Sequence, residues 1–382
     1  MPISPARTTA FDILRRVEGG AWASDLLASA TAEMDWRDAG LASEIVMGSL
    51  RRQAQLDWLI AHFAGRRAAL DIEVRIALRM GIYQLRYLER VPAHAAVGES
   101  VELVKRARKR SAAGFVNAVL RKVHRVPVAW PDRATALSMP EWLLERWEQQ
   151  FGPETAERIA RAFLVPPETF VRVTGPPPEG VELKATEIPG CYRVVAGDPR
   201  GLRIQDIGSQ AIVPLLDLAP GQRFLDLCAA PGNKTSQAME YGVRAIAGDR
   251  NLHRLRNLQA PECARVVLDG TLPLPFKTQF DRILLDAPCS GTGTLGRNPE
   301  IRWRIQPKNL VELHARQAAL LRNALAHLRP GGRLVYSTCS LEREENEDVL
   351  EEVLGGLPAA RMRRTPGIEA GDGFFAAVIP SG

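Results

Sequence analysis

Hydrophobic positions recur at helical spacing through the first third of the chain. Phe11, Leu14 and Val17 share one face, as do Ile45, Val46 and Leu50, then Leu56, Leu59, Ile60 and Phe63, then Ile76, Leu78, Met80, Ile82 and Leu85. Gly19-Gly20, Gly65, Pro92 and Gly114 interrupt the pattern, so residues 5–125 are predicted to form an all-helical domain of about six or seven helices. Trp130-Pro131 and Met139-Pro140 punctuate a hinge, and one or two helices expected over 141–165 stop at Val165-Pro166-Pro167. Short β-rich runs follow at 169–173, 181–183 and 191–195, separated by turns such as Gly175-Pro176-Pro177-Pro178.

From 206 onward the period changes. Apolar runs at 223–227, 244–247, 264–268, 282–285 and 333–336 alternate with helical stretches at 234–241, 252–259 and 307–328. Such alternation predicts a parallel sheet with helices on both faces and a ligand site at the carboxyl ends of the strands. The chain therefore reads as multidomain: a helical domain at 1–130, a small α+β connecting module at 131–205 and an α/β domain at 206–382.

Composition narrows the class. The 382 residues are 46% hydrophobic and 25% charged, a globular balance. Apolar runs stay far short of the ~18–20 residues that cross a bilayer, and the first residues lack the apolar segment of a signal peptide. A soluble, cytoplasmic, monomeric protein is expected. The five cysteines, at 191, 228, 263, 289 and 339, are scattered and odd in number, with no CxxC or zinc-ligand spacing. That argues against disulfides and metal, and leaves each thiol either a small buried apolar group or a reactive one. The net charge of +6 is unevenly spread: residues 1–130 carry 20 Lys+Arg against 13 Asp+Glu. Its densest part is Lys105, Arg106, Arg108, Lys109 and Arg110, which suits either a solvated helix face or a phosphate-contacting patch.

Three stretches at the predicted strand ends carry candidate chemistry. FLDLCAAPGNKTSQ, residues 224–237, is an apolar strand, a small-residue turn and a helix starting near Lys234. Small residues let a ligand approach the backbone, and the helix start offers unpaired N–H groups. It is neither a GxGxxG nor a GxxxxGK[ST] loop, which disfavours a dinucleotide or a nucleoside triphosphate. Asp249 and Asp269 end the next two strands and suit a ribose diol and a base edge, or simply a turn. In RILLDAPCSGTGTLGRNPEIRWR, residues 282–304, Asp286 and Cys289 follow a strand, and a Gly/Thr-rich loop leads to Arg297, Arg302, Trp303 and Arg304. That basic and aromatic set suits phosphate contact and base stacking, or ordinary surface packing. In RLVYSTCSLEREENE, residues 333–347, Cys339 lies just past another strand. Two cysteines at neighbouring strand ends beside an acid point to a pair of reactive thiols.

These residues resemble the sequence blocks of the RNA 5-methylcytosine methyltransferases, which use S-adenosyl-L-methionine. DLCAAPGNKT looks like their cofactor loop, DAPCSGTG their first catalytic block and YSTCS their second. GLRIQDIGSQA at 201–211 and DGFFAAVI at 372–379 are similar to flanking segments of the same catalytic domain. The stretches LASEIVMGSLRRQAQLDWLI, LRMGIYQLRYLERVPAHAAVGESVELVK and GFVNAVLR resemble the helical RNA-binding domain related to the antitermination factor NusB. The combination is similar to the ribosomal RNA small-subunit methyltransferase B family, and the resemblance covers nearly the whole chain.

The resemblance implies a NusB-like all-α domain, a Rossmann-like catalytic domain, and methylation of carbon 5 of a single-stranded or loop cytidine in 16S ribosomal RNA. Cys339 would be the nucleophile, Cys289 would assist product release, and Asp286 would hold the cytosine edge and also contact the cofactor. Cofactor contacts carry over to Cys228, Ala229, Ala230, Pro231, Gly232, Asn233 and Lys234, to Asp249 for the ribose and to Asp269 for the adenine. Lys234 would pair with Asp286 or with the cofactor carboxylate. Asn233 stands where the family usually has a second glycine. RNA contacts are expected from Lys105, Arg106, Arg108, Lys109, Arg110, Arg297 and Arg302. A DNA cytosine methyltransferase would also use a Pro-Cys pair such as Pro288-Cys289, but has no use for Cys339 or a NusB-like domain. A methyltransferase acting on tRNA or another RNA, or a non-catalytic RNA-binding factor of the antitermination type, would also carry a basic helical domain.

Overall fold

The computed structural model describes residues 3–65, 69–258, 260 and 262–381. They divide into two compact units, one of Met1–Pro166 with Leu295–Arg304, the other of Pro167–Thr294 with Ile305–Gly382. The division at 166/167 runs through the stretch read as a connecting module: its helices group with the first unit and its strands with the second.

In the first unit the helices Pro5–Glu18, Ala23–Ala30, Trp36–Arg51, Gln53–Ala64, Ile72–Tyr87, Ala93–Arg106 and Ala113–Leu120 enclose one apolar core. The helical stripes legible in the sequence form it: Phe11, Ile45, Leu56, Leu59, Ile76 and Leu78 are all at most 1% exposed. Each such side chain contributes roughly 1.5–3 kcal/mol on burial. Asp35 caps one helix by accepting from the Arg37 N–H at 2.9 Å. The break expected at Gly114 falls earlier. Arg108 takes a left-handed φ of 62° and turns the chain, while Gly114 sits in the first turn of the next helix. Helices Glu141–Phe151 and Pro153–Ala162 complete the unit's main elements.

The second unit opens with four short strands, β1 (Phe170–Arg172), β2 (Val181–Ala185), β3 (Cys191–Gly197) and β4 (Arg203–Ile204), paired antiparallel in the order β2-β3-β1-β4. The main sheet follows: β5 (Arg223–Asp226), β6 (Arg244–Asp249), β7 (Ala264–Val267), β8 (Phe280–Asp286), β9 (Leu328–Thr338), β10 (Arg361–Arg364) and β11 (Phe374–Pro380). Its order is β10-β11-β9-β8-β5-β6-β7. Pairings from β7 through β9 are parallel, and β11 lies antiparallel to both β9 and β10. Buried on both faces, β8 reads as a nearly continuous apolar run, which is why it was legible. β10 was not, because its sequence Arg-Met-Arg-Arg belongs to an edge strand blunted by charge. The helix expected over 252–259 spans Leu252–Arg256, and residue 259 lies outside the described residues. Strand order reverses between β5 and β8, so their carboxyl ends diverge and leave a crevice.

Candidate active site

A cleft of about 520 Å³ opens at that crevice. It is lined by Cys228, Ala230, Pro231, Asp249, Asp269, Asp286, Cys289 and Cys339, all placed by strand ends or by the turns that follow them. Most of the catalytic and cofactor residues singled out in the sequence thus meet in one place.

The β5 turn forms one wall. Gly232, at φ 106°, takes the left-handed conformation that lets the chain turn into the helix Asn233–Met239. Asn233 is therefore the first helical residue, and its side chain meets no backbone penalty at the position where a second glycine was expected. Asp249 is fixed by two backbone donors, the Ala230 N–H at 3.2 Å and the Asn251 N–H at 2.8 Å. Asp269 is exposed and closes its own turn by accepting from the Thr271 N–H and hydroxyl, which hold its carboxyl below the usual range. Beneath the turn, Asp226 is fully buried. Its Oδ2 accepts from the Thr235 hydroxyl at 2.7 Å and its Oδ1 has no partner. Burial pushes this carboxyl up to about 7.

Lys234 donates to Asp286 Oδ2 at 2.6 Å, one of the two pairings the sequence left open. Burial works against the Lys234 charge, but Asp286 outweighs it and raises the ammonium above its ordinary value. Asp286 Oδ1 accepts from the Ser337 hydroxyl at 2.8 Å. The Cys289 and Cys339 sulfurs lie 3.3 Å apart. The Cys289 thiol is raised well above its ordinary value by its hydrogen bond with Cys339, by burial, by charge on Cys339 and, after these, by the nearby Glu345 carboxylate. The loops carrying the thiols are stitched together. The Gly293 N–H donates to the Cys339 carbonyl at 2.9 Å, and a Cβ on Gly293 would lie 2.4 Å from the Gly373 carbonyl oxygen. Cys191 and Cys263 are buried, as expected for unreactive thiols, and burial raises both.

Glu345, Gln317, Ser290 and Ser340 form a buried cluster around the thiol loops that the sequence did not single out. Glu345 lies in the run Glu342-Arg343-Glu344-Glu345, whose charge density reads as solvent-facing surface.

The basic candidates fare differently. Arg302 was expected to contact RNA, but it is 0% exposed in the first unit, so it is corrected to a structural residue. Its guanidinium donates to the carbonyls of Arg51, Ser138, Phe163, Leu295 and Pro299, and burial lowers it to about 9. Arg304 likewise donates to the carbonyls of Val17, Gly20 and Ala21. Arg297 is half-buried beside Arg51. The 105–110 run stays at the surface, with Lys105 paired to Glu102, Arg106 to Asp12 and Lys109 to Asp71.

Among the described residues no His/Cys/Asp/Glu group could hold a metal ion, and no helix is long and apolar enough to cross a membrane. Comparison with known proteins places this geometry. Residues 213–376 match the family described as 16S rRNA methyltransferase RsmB/F, and residues 4–125 match the NusB family. The chain is 34% identical to the ribosomal RNA small subunit methyltransferase B of Klebsiella pneumoniae subsp. pneumoniae, over 95% of each chain. It is 30% identical to the probable ribosomal RNA small subunit methyltransferase B of Bacillus subtilis, over 94% of this chain and 90% of that one. The crystal structure of PH0851 shares the fold, with a TM-score of 0.82 at 23% identity over 99% of both chains. A methyltransferase homolog from Pyrococcus horikoshii aligns with a TM-score of 0.57 at 27% identity, over 66% of this chain and 100% of its own. The chain belongs to the ribosomal RNA small subunit methyltransferase B family, S-adenosyl-L-methionine-dependent RNA methyltransferases that join a NusB domain to a Rossmann-like catalytic domain.

Proposed function

We propose that the chain methylates carbon 5 of a cytidine in 16S ribosomal RNA, through a covalent bond between Cys339 and carbon 6 of the base. The contact of the two thiols in the switch-point cleft carries this reading. One sulfur activates the ring and the other assists its release, and neither task explains the pair alone. The names of the relatives support 16S RNA over DNA as the substrate.

The residues lining the β5 turn fit the cofactor. Small side chains leave the backbone open, Asp249 keeps acceptor capacity for ribose hydroxyls, and the unpartnered Asp226 Oδ1 lies under the methionine end of the expected cradle. Cys228 to Lys234 would hold that end, and Asp269 would face the adenine. When bound, S-adenosyl-L-methionine supplies the electrophilic methyl group.

Carbon 5 of cytosine is a poor nucleophile until the Cys339 thiolate adds to carbon 6 and pushes an electron pair toward carbon 5. Asp286 stabilises the protonated ring nitrogen while the adduct stands, since each of its oxygens keeps a lone pair beyond those used by Lys234 and Ser337. After methylation water takes the carbon-5 proton, the electron pair of that bond re-forms the carbon 5–carbon 6 double bond, the carbon–sulfur bond breaks and Cys339 leaves with its electron pair. Cys289, held as a neutral thiol, assists that release. The target base must leave its stack to reach the cleft, so unpaired cytidines are the expected substrates.

Cys339→Ala is expected to abolish methylation and form no RNA adduct, while Cys289→Ala accumulates a covalent complex seen as a shifted band on a denaturing gel. The reverse outcome would overturn the assignment of roles. Bisulfite sequencing of ribosomal RNA with and without the gene names the cytidine, and an unchanged 16S pattern would sink the ribosomal substrate.

A further inference from the structure

Glu345 is fully buried, and it touches the segments on which both thiols sit. Its Oε1 accepts from the Ser290 N–H at 2.8 Å and from Gln317 Nε2 at 3.0 Å, and its Oε2 accepts from the hydroxyls of Ser290 and Ser340. Ser290 follows Cys289 and Ser340 follows Cys339, so one carboxylate grips the residue next to each sulfur. Gln317 extends the grip by donating to the Pro288 carbonyl, also at 3.0 Å, on the other side of Cys289. The Glu345 carbonyl accepts from the Tyr336 hydroxyl at 2.6 Å, which ties the whole cluster to β9.

The donor set suits an ionised carboxylate. A peptide N–H and an amide NH2 can only donate, so Oε1 is an acceptor, and the two hydroxyls are free to donate to Oε2, which gives two hydrogen bonds on each oxygen. All four donors are neutral. The negative charge is solvated by dipoles but not cancelled, and its field falls on Cys289. A cation, Lys234, lies toward Cys339 instead. The charged and titratable groups nearest the thiol pair are Lys234, Asp286, Glu345, Tyr336 and Cys228, and Asp249, Arg250, Arg254, Asp269 and Arg316 line the same cleft.

We propose that Glu345 is a positioning residue whose carboxylate locks the Cys289 and Cys339 loops together and whose negative charge is set against the Cys289 side of the thiol pair. The positioning role rests on the reading of Cys339 as the nucleophile. Glu345→Gln separates charge from grip. Its amide oxygen can accept from Ser290 and Gln317, and its NH2 can donate to the two hydroxyls, so the hydrogen bonds survive and the charge goes.

The readout is iodoacetamide alkylation of each cysteine in the full chain, followed by mass spectrometry as a function of pH, with no RNA present. In Glu345→Gln the Cys289 profile moves down by about one pH unit, giving roughly tenfold faster modification at mildly alkaline pH. Superimposable Cys289 profiles would overturn the charge role. Ser340→Ala tests the grip, because it removes one hydroxyl and leaves the charge. Slower formation of the Cys339–RNA adduct at unchanged cofactor affinity is expected, and an unchanged rate would overturn the positioning role. Failure of the covalent reading itself looks different: the parent chain then forms no adduct, whatever its alkylation profiles.

Discussion

Arg302 in the helical unit and Glu345 in the catalytic unit are both ions taken fully out of water and held by neutral groups. Arg302 spends its donors on five backbone carbonyls, and Glu345 its lone pairs on four donors. The difference lies in what the partners can do when the ion is replaced. Carbonyls only accept, so each one left without a donor stays unsatisfied. Hydroxyls both donate and accept, so Ser290 and Ser340 can re-pair with an amide. Charge is therefore dispensable to the fold at 345, where its role is chemical. At 302 the planar five-donor fork is the structural element that gathers segments from 51, 138, 163 and 295.

The strongest test of this contrast is Arg302→Lys. An ammonium keeps the charge but has three donors without the fork, so at least two carbonyls lose their partners. A loss of about 3–5 kcal/mol is expected by denaturant titration, close to that of Arg302→Ala. Glu345→Gln should lose far less in the same titration. Rescue by lysine would mean that charge, not fork geometry, holds the segment, and the contrast would fail.

Asp226 sharpens the comparison as a buried acid that is incompletely held, with Oδ1 unpartnered. Burial raises it from 3.8 to about 7, so between those values the folded chain binds more protons than the unfolded one. Stability contributed by this group is then present at low pH and is lost as pH rises from 3.8 through about 7. Asn cannot ionise and keeps an oxygen for Thr235. Relative to the parent, Asp226→Asn should gain ~2–4 kcal/mol between pH 4 and pH 8, read from paired melts. A gap that does not change with pH would show that Asp226 does not titrate in this range.

These three residues also mark where sequence reading stops. The apolar runs of β5, β8 and β9 are local, and each motif sits immediately after its strand, so the cleft and its cysteines could be placed from the chain alone. Arg302 could not, because three of the carbonyls that hold it, those of Arg51, Ser138 and Phe163, lie more than a hundred residues away and carry no sequence signature. Glu345 was hidden by the opposite effect: in a run of acids, nothing local distinguishes the buried Glu342 and Glu345 from the partly exposed Glu344 between them. Asp226 was read as part of a strand because its neighbours Phe224 and Leu225 are apolar, and its missing partner is visible only once the turn above it is built.

The exposed arginines supply the other end of the scale. Arg110 is exposed, in a run whose neighbours pair with Glu102, Asp12 and Asp71 at the surface. Such pairs contribute ~0–1 kcal/mol, and nothing in the fold hangs on Arg110 as it does on Arg302. Arg110→Ala should therefore shift stability by less than ~0.5 kcal/mol. If the run meets RNA phosphates, the same variant releases about one counterion fewer on binding, so the slope of log K against log salt should shrink by roughly 0.7–0.9. Measured by titration of a 16S fragment across salt concentrations, an unchanged slope would return the run to a solvated helix end. A reduced slope with unchanged stability would make it the mirror image of Arg302: the same side chain, spent entirely on a partner outside the fold.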